Sequence, residues 1–239
     1  MLVWNIVIGC TVASFVNAAV IRSQNKQNYI FSRSCCPDCG HVLSFIDMLP
    51  VAGYLIRSGH CHYCGSRISV RYPLTEMLGA IAAIMSRNMF EFVLYMILLA
   101  VALYDMDTMI IRNRYLIMLM VMSFVVTDFC FIGNHLLGIV IISISMRIIA
   151  VITKGFGFGD VKLMAVCGFL LGWERAILSF VLGCMTGSVY AGYLLLCKKA
   201  GMKSEMPFGP FLALGIRISF RYGFRLIDLY ELSFIRVYN

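Results

Sequence analysis

Charge is what this sequence has least of. Asp, Glu, Lys and Arg make up 13% of its 239 residues, against 61% hydrophobic residues and a mean hydropathy of +0.86. Soluble domains carry roughly a quarter charged residues. Half that share leaves no room for a large separate soluble core and puts most of the chain in lipid. Other features are missing too. Residues 2–21 are apolar, but no basic segment precedes them and no small-residue cleavage site follows, so they read as a first membrane span and not a removable signal. No glycine spacing matches a dinucleotide fingerprint or a P-loop. The net charge of +8 comes without a basic patch interleaved with stacking aromatics, which excludes nucleic acid as a partner. Repeated, broken hydrophobic segments of the kind transporters carry are absent.

What is there begins with apolar runs of helical length. They predict an all-α polytopic membrane protein of about eight transmembrane helices, in contact with membrane lipid. The expected spans are 2–21, 74–86, 90–104, 114–132, 135–152, 161–172, 176–197 and 208–222. Three parts follow: a first transmembrane helix over 1–22, a polar loop domain over 23–72, and a transmembrane domain over 73–239. Eight spans put odd and even loops on opposite sides. Arg22, Lys26, Arg33, Arg57, Arg67, Arg71, Arg112, Arg114, Lys154, Lys162, Lys198, Lys199 and Lys203 fall on one side, and Arg87 and Arg175 on the other. Basic loops stay in the cytoplasm. The long loop is therefore expected there, with the N-terminus outside. Arg217, Arg221 and Arg225 depart from this pattern. They recur every four residues, which gathers them on one face of a helix that could lie along the interface.

The polar loop holds Cys36-Pro37-Asp38-Cys39-Gly40 and Cys61-His62-Tyr63-Cys64-Gly65. Two C-x2-C knuckles separated by 21 residues can bring four thiolates around one tetrahedral zinc. The glycine after each second cysteine permits the tight turn that aims main-chain amides at the sulfurs. Reduced thiols in a cytoplasmic loop favour metal over a disulfide, which is the alternative. Cys36, Cys39, Cys61 and Cys64 fill the shell without His41, His60 or His62. A closed shell makes the zinc structural. The other cysteines (Cys10, Cys35, Cys130, Cys167, Cys184 and Cys197) are scattered or lie in apolar runs, where cysteine acts as a small hydrophobe.

Acidic residues at membrane depth are expensive, and each is a functional candidate. Asp105 and Asp107 close the third expected span. Asp160 ends Gly155-Phe156-Gly157-Phe158-Gly159-Asp160 at the entry to the sixth. Both places lie on the expected cytoplasmic side. The bland reading makes Asp160 a helix N-cap, and it is the better reading for Asp107, an interfacial residue. Glu91, Asp128, Glu174 and Asp228 sit at span ends or in the tail. A proton-coupled transporter would carry such aspartates but lacks its repeat here. A non-catalytic zinc-ribbon adaptor would account for the cysteines but not for two aspartates at one depth.

Gly157-Phe158-Gly159-Asp160-Val161-Lys162-Leu163 resembles the GxGD signature of type IV prepilin peptidases, a family of intramembrane aspartyl proteases. Ser14-Phe15-Val16-Asn17 resembles the family's SFxN element. The paired cysteine loop follows, then Ile68-Ser69-Val70-Arg71-Tyr72-Pro73-Leu74-Thr75-Glu76, similar to its I-S-x-R-Y-P-x-x-E segment. Pro207-Phe208-Gly209-Pro210-Phe211-Leu212-Ala213 is similar to its PFGPFLA stretch. The family's first catalytic aspartate precedes a D-x6-P-N proline by seven residues. Setting Asn113 on that asparagine gives Asp105, with Arg112 where proline is usual. Ala13 likewise replaces a usual glycine.

The resemblance implies a catalytic pair, Asp105 and Asp160, acting at the cytoplasmic membrane edge of a bacterial inner membrane. It implies a prepilin or pseudopilin substrate with a short basic leader cut after glycine. It also implies N-methylation of the new terminus from S-adenosylmethionine, the cysteine loop marking the bifunctional type. No residue in the sequence identifies the methyl donor's site; Glu76 is no more than a candidate.

Overall fold

A computed structural model describes residues 2–24, 34–127, 129–153, 156–197 and 206–238. The basic residues Lys26, Arg33, Lys154, Lys198, Lys199 and Lys203, together with Asp128 and Gly155, lie outside them. The described chain is helical. In order come α1 (Leu2–Gln24), α2 (Ala52–Ile56), α3 (Arg71–Met85), α4 (Met89–Thr108), α5 (Asn113–Val126), α6 (Ile132–Thr153), α7 (Phe158–Leu171), α8 (Trp173–Leu196) and α9 (Gly209–Tyr238). A 3-10 turn at Phe129–Phe131 precedes α6. Among the described residues there is no strand, only two isolated bridges, Cys35 with Val42 and His60 with Arg67.

Each of the eight expected spans corresponds to a helix. Four helices, α1, α4, α6 and α8, are long and apolar enough to cross a membrane. α3, α5 and α7 have 15, 14 and 14 residues, short of the roughly 20 that a bilayer asks for. The fourth segment was expected to reach residue 132, yet α5 stops at Val126, where Thr127 turns extended (φ −76°, ψ 135°). α9 was expected to end at 222 and instead runs 30 residues, its basic positions making it amphipathic.

The chain forms two compact units, Met1–Ala100 and Val101–Asn239, divided within α4. In the first, α1 packs along α3. Gly9 and Gly79 let the two backbones touch, since a Cβ on either would collide with the other's main chain. Two polar links fasten the same pair, and a third brings in the loop. Ser14 Oγ donates to Glu76 Oε1 (2.8 Å), the Val51 amide donates to Glu76 Oε2 (2.7 Å), and Arg71 Nε donates to Asn17 Oδ1 (3.0 Å). The SFxN and RYPLTE segments thus meet face to face. Through Val51, Glu76 also ties the polar loop to α3.

In the second unit α7 touches α5, α6, α8 and α9. Leu163, Met164, Cys167, Phe169, Leu170 and Leu171 are all buried. A helix apolar on every side belongs at the centre of a bundle. Gly138 and Gly168 bring α6 and α7 into backbone contact. The first turn of α7, with Asp160, is thereby held by several neighbours.

Candidate active site

Asp105 lies in the last turn of α4 and Asp160 in the first turn of α7. Both are buried, at 4% and 8% exposure. They line one open cavity of about 480 Å³ together with Met109–Asn113, Gly157–Gly159 and Lys162. Asp107, two residues along α4, is exposed and does not line it.

Each aspartate is gripped in the same way. Asp105 Oδ2 accepts a hydrogen bond from the Gly209 amide at the start of α9 (2.8 Å). Asp160 Oδ2 accepts one from the Gly157 amide (3.1 Å). The second oxygen of each carboxylate has no protein partner among the described residues. One oxygen anchored by a main-chain amide fixes the side chain, and the other is left for chemistry in the cavity. Asp160 does serve helix capping, but from the third helical position and not from the N-cap, which is Gly157.

Glycines set the approach of these parts. A Cβ at Gly209 would stand 2.7 Å from Asp105 Oδ2. A Cβ at Gly159 would stand 3.1 Å from that of Ile111. The PFGPFLA stretch therefore delivers an amide to the first aspartate, a role that the sequence did not reveal. Around the mouth, Lys162 Nζ reaches Asn113 Oδ1 (3.4 Å) and lies 5.2 Å from the Phe158 ring centre. Arg112, in place of the usual proline, sits 5.6 Å over Tyr104.

The cysteine loop forms a second candidate site, within the first unit. The Sγ atoms of Cys36, Cys39, Cys61 and Cys64 all lie within 4.8 Å of one another and could hold a metal ion. Cys36 and Cys64 Sγ are 3.9 Å apart. Four sulfurs set tetrahedrally about 2.3 Å from a zinc are about 3.8 Å from each other, so the cluster has the right size. The knuckles repeat one design. Gly40 and Gly65, both at φ +70°, donate to the carbonyls of Cys36 and Cys61 at 2.9 Å. Within the cluster the amides of Cys39 and Asp38 pull the Cys36 thiol down to about 6, while burial and the adjoining Cys64 and Cys36 sulfurs push the Cys39 thiol up to about 11. The three histidines are engaged elsewhere: His60 with the Ser58 carbonyl, His62 with Arg57, and His41 against the Tyr63 ring. Arg57 also pairs with Asp47 (2.7 Å). The Ser44 hydroxyl and then Arg57 hold that carboxyl down at about 2.

The chain matches two family models: Bacterial Peptidase A24 N-terminal domain over residues 7–90 and Type IV leader peptidase family over residues 92–192. It is 32% identical over 238 residues to a prepilin leader peptidase/N-methyltransferase of Bacillus subtilis, covering 94% of this chain and 95% of the relative. Proteins of the same name from Aeromonas salmonicida and Pseudomonas putida are 26% and 28% identical. They cover 83% and 91% of this chain, and 74% and 89% of their own lengths. No solved structure matches the chain significantly.

Proposed function

Because the chain belongs to the type IV leader peptidase family, we propose that it removes the leader of a type IV prepilin or pseudopilin with Asp105 and Asp160 as its catalytic pair. The observation that carries this reading is the shared cavity, with one oxygen of each carboxylate anchored and the other without a protein partner. Two carboxylates facing one space work with a single proton between them. The ionised member takes a proton from water, which attacks the scissile carbonyl. The protonated member polarises that carbonyl and then protonates the leaving amine. The Gly209 and Gly157 amides keep both groups in place through the cycle.

The same relatives are named N-methyltransferases. This chain accordingly transfers a methyl group from S-adenosylmethionine to the amine that cleavage exposes. Cys36, Cys39, Cys61 and Cys64 hold a structural zinc that shapes the loop. The enzyme sits in the bacterial inner membrane with the N-terminus outside and the loop and active site on the cytoplasmic side. The lopsided distribution of basic residues supports that orientation.

The test is to incubate the purified enzyme in detergent with a prepilin and S-adenosylmethionine, then weigh the product. The expected product lacks the leader and carries one added methyl group at its new N-terminus. An uncut prepilin would contradict the reading.

A further inference from the structure

The polar loop of the first unit carries an apolar patch. Phe45 is 76% exposed, Leu55 69% and Ile56 61%, and Ile46 and Met48 are exposed with them. Large apolar side chains gathered on one surface mark a contact with something other than water. These residues belong to one folded piece. A Cβ at Gly53, in α2, would stand 2.7 Å from the Ile46 carbonyl oxygen and 2.9 Å from that of Asp47, so the turn at 45–48 lies against α2. The charges beside the patch are turned inward and paired. Arg57 Nε donates to Asp47 Oδ1 (2.7 Å), and the Ser44 hydroxyl donates to Asp47 Oδ2 (2.6 Å). The Asp47 side chain is 8% exposed. Apolar groups outside and paired charge inside is the reverse of a loop that faces water.

The depth of the patch follows from α1 and α3. These helices meet in antiparallel order, Gly9 at Gly79, Ser14 at Glu76 and Asn17 at Arg71. The apolar run of α1, residues 2–21, has about the length that fills the hydrocarbon core. Ile21 marks the edge of that core, and Ser14, seven residues earlier, lies about 10 Å inside it. Glu76 is level with Ser14, and its other carboxylate oxygen accepts from the Val51 amide (2.7 Å). Val51 immediately precedes α2. The loop therefore comes down beside α1 and α3, inside the edge of the hydrocarbon.

Non-helical backbone is tolerated at that depth only where its polar groups are met by protein. Here the amides are met. Met48 donates to the Ser44 carbonyl, Leu49 to Ile46, Ala52 to Pro50, Gly53 to Leu49 and Leu55 to Val51. Val51 has Glu76, and Pro50 has no amide to satisfy.

We infer that residues 45–56 form a re-entrant foot, seated among the acyl chains of the nearer lipid leaflet with Phe45, Leu55 and Ile56 toward the lipid. This rests on α1 crossing the membrane and not on the peptidase chemistry. The foot lies between the two cysteine knuckles in the chain, and so ties the four-cysteine cluster to the membrane face.

The test uses the full-length enzyme with both native tryptophans, Trp4 and Trp173, replaced by phenylalanine. One tryptophan is put back, as Phe45→Trp, Leu55→Trp or Phe15→Trp. Each variant is reconstituted in phosphatidylcholine vesicles with brominated acyl chains, which quench tryptophan on contact. Phe15, exposed on α1 beside Ser14, reports whether α1 is in lipid. The expected result is that bromine lowers the emission of Phe45→Trp and Leu55→Trp by about twofold or more, as it does for Phe15→Trp. Aqueous iodide, present on both sides of the vesicle, should leave all three nearly unchanged. Quenching of Phe45→Trp and Leu55→Trp by iodide and not by bromine would place the loop in water and overturn the inference. Quenching by neither would mean that protein covers the patch, another segment or a second copy, and would overturn it too. A Phe15→Trp that bromine does not quench would remove α1 from the membrane and the inference with it.

Discussion

The Gly209 amide donates to Asp105 Oδ2 across 2.8 Å, linking residues 104 positions apart in the chain. A Cβ at position 209 would stand 2.9 Å from the Asp105 Cβ as well as 2.7 Å from the accepting oxygen. Both atoms belong to the Asp105 side chain, which cannot yield without losing its place. Gly209→Ala is therefore expected to slow prepilin cleavage by about tenfold or more, the loss that accompanies small displacements of a positioned catalytic group. Metal content and protein level should be unchanged. Initial rates on a prepilin peptide, beside elemental analysis of the same preparation, check this.

The four-cysteine cluster leads to a second expectation. Freshly prepared, reduced enzyme should carry about one zinc per chain. Cys36→Ser and Cys61→Ser should each lose it, since each removes one ligand from a closed shell. Elemental analysis decides the matter, and metal-free wild-type protein would contradict it.

Glu76 is buried and takes hydrogen bonds from Ser14 and from the Val51 amide. Hydrogen bonds to a charged group are worth about 1.5–3 kcal/mol each, and an unfilled site beneath the loop adds to the loss. Glu76→Ala is expected to destabilise the first unit by about 2 kcal/mol or more, with Ser14→Ala less affected because the Val51 bond survives. Thermal unfolding of the two variants in one detergent gives the comparison.

Much of this was legible in the sequence. The two C-x2-C knuckles announce their own geometry, because ligand type and spacing are local. Asp105 and Asp160 stand out because acids are scarce in apolar helices. Three things were not legible, each for a physical reason. Hydropathy finds apolar runs but not their ends, so α5 was drawn to residue 132 although the backbone leaves the helix at Thr127. Asp160 looked like an N-cap because sequence alone does not fix a helix start within two residues. It is the third helical residue. The Gly209 bond depends on long-range packing and has no periodicity.

Cleavage and methylation should separate. The sulfurs belong to the first unit and both aspartates to the second. Serine at Cys36 and Cys39 is expected to lower methylation more than cleavage. Asparagine at Asp105 or Asp160 should leave methylation of an already cut pilin largely intact. Each variant is given uncut and pre-cut substrate with labelled S-adenosylmethionine. Equal loss of both activities in the cysteine variants, at unchanged protein level, would count against separable steps.

The most direct measurement is cleavage by three single variants, Asp105→Asn, Asp160→Asn and Asp107→Asn, each purified to the same level and compared with wild type on one prepilin peptide. Asparagine keeps the shape of each side chain and can still accept the Gly209 or Gly157 amide, but it cannot take up or give the proton that the reaction needs. The expected result is a loss of about a hundredfold or more for Asp105→Asn and for Asp160→Asn. Asp107→Asn, whose side chain is exposed and outside the cavity lining, should keep most of its activity. An inactive Asp107→Asn beside an active Asp105→Asn would contradict the assignment of the pair.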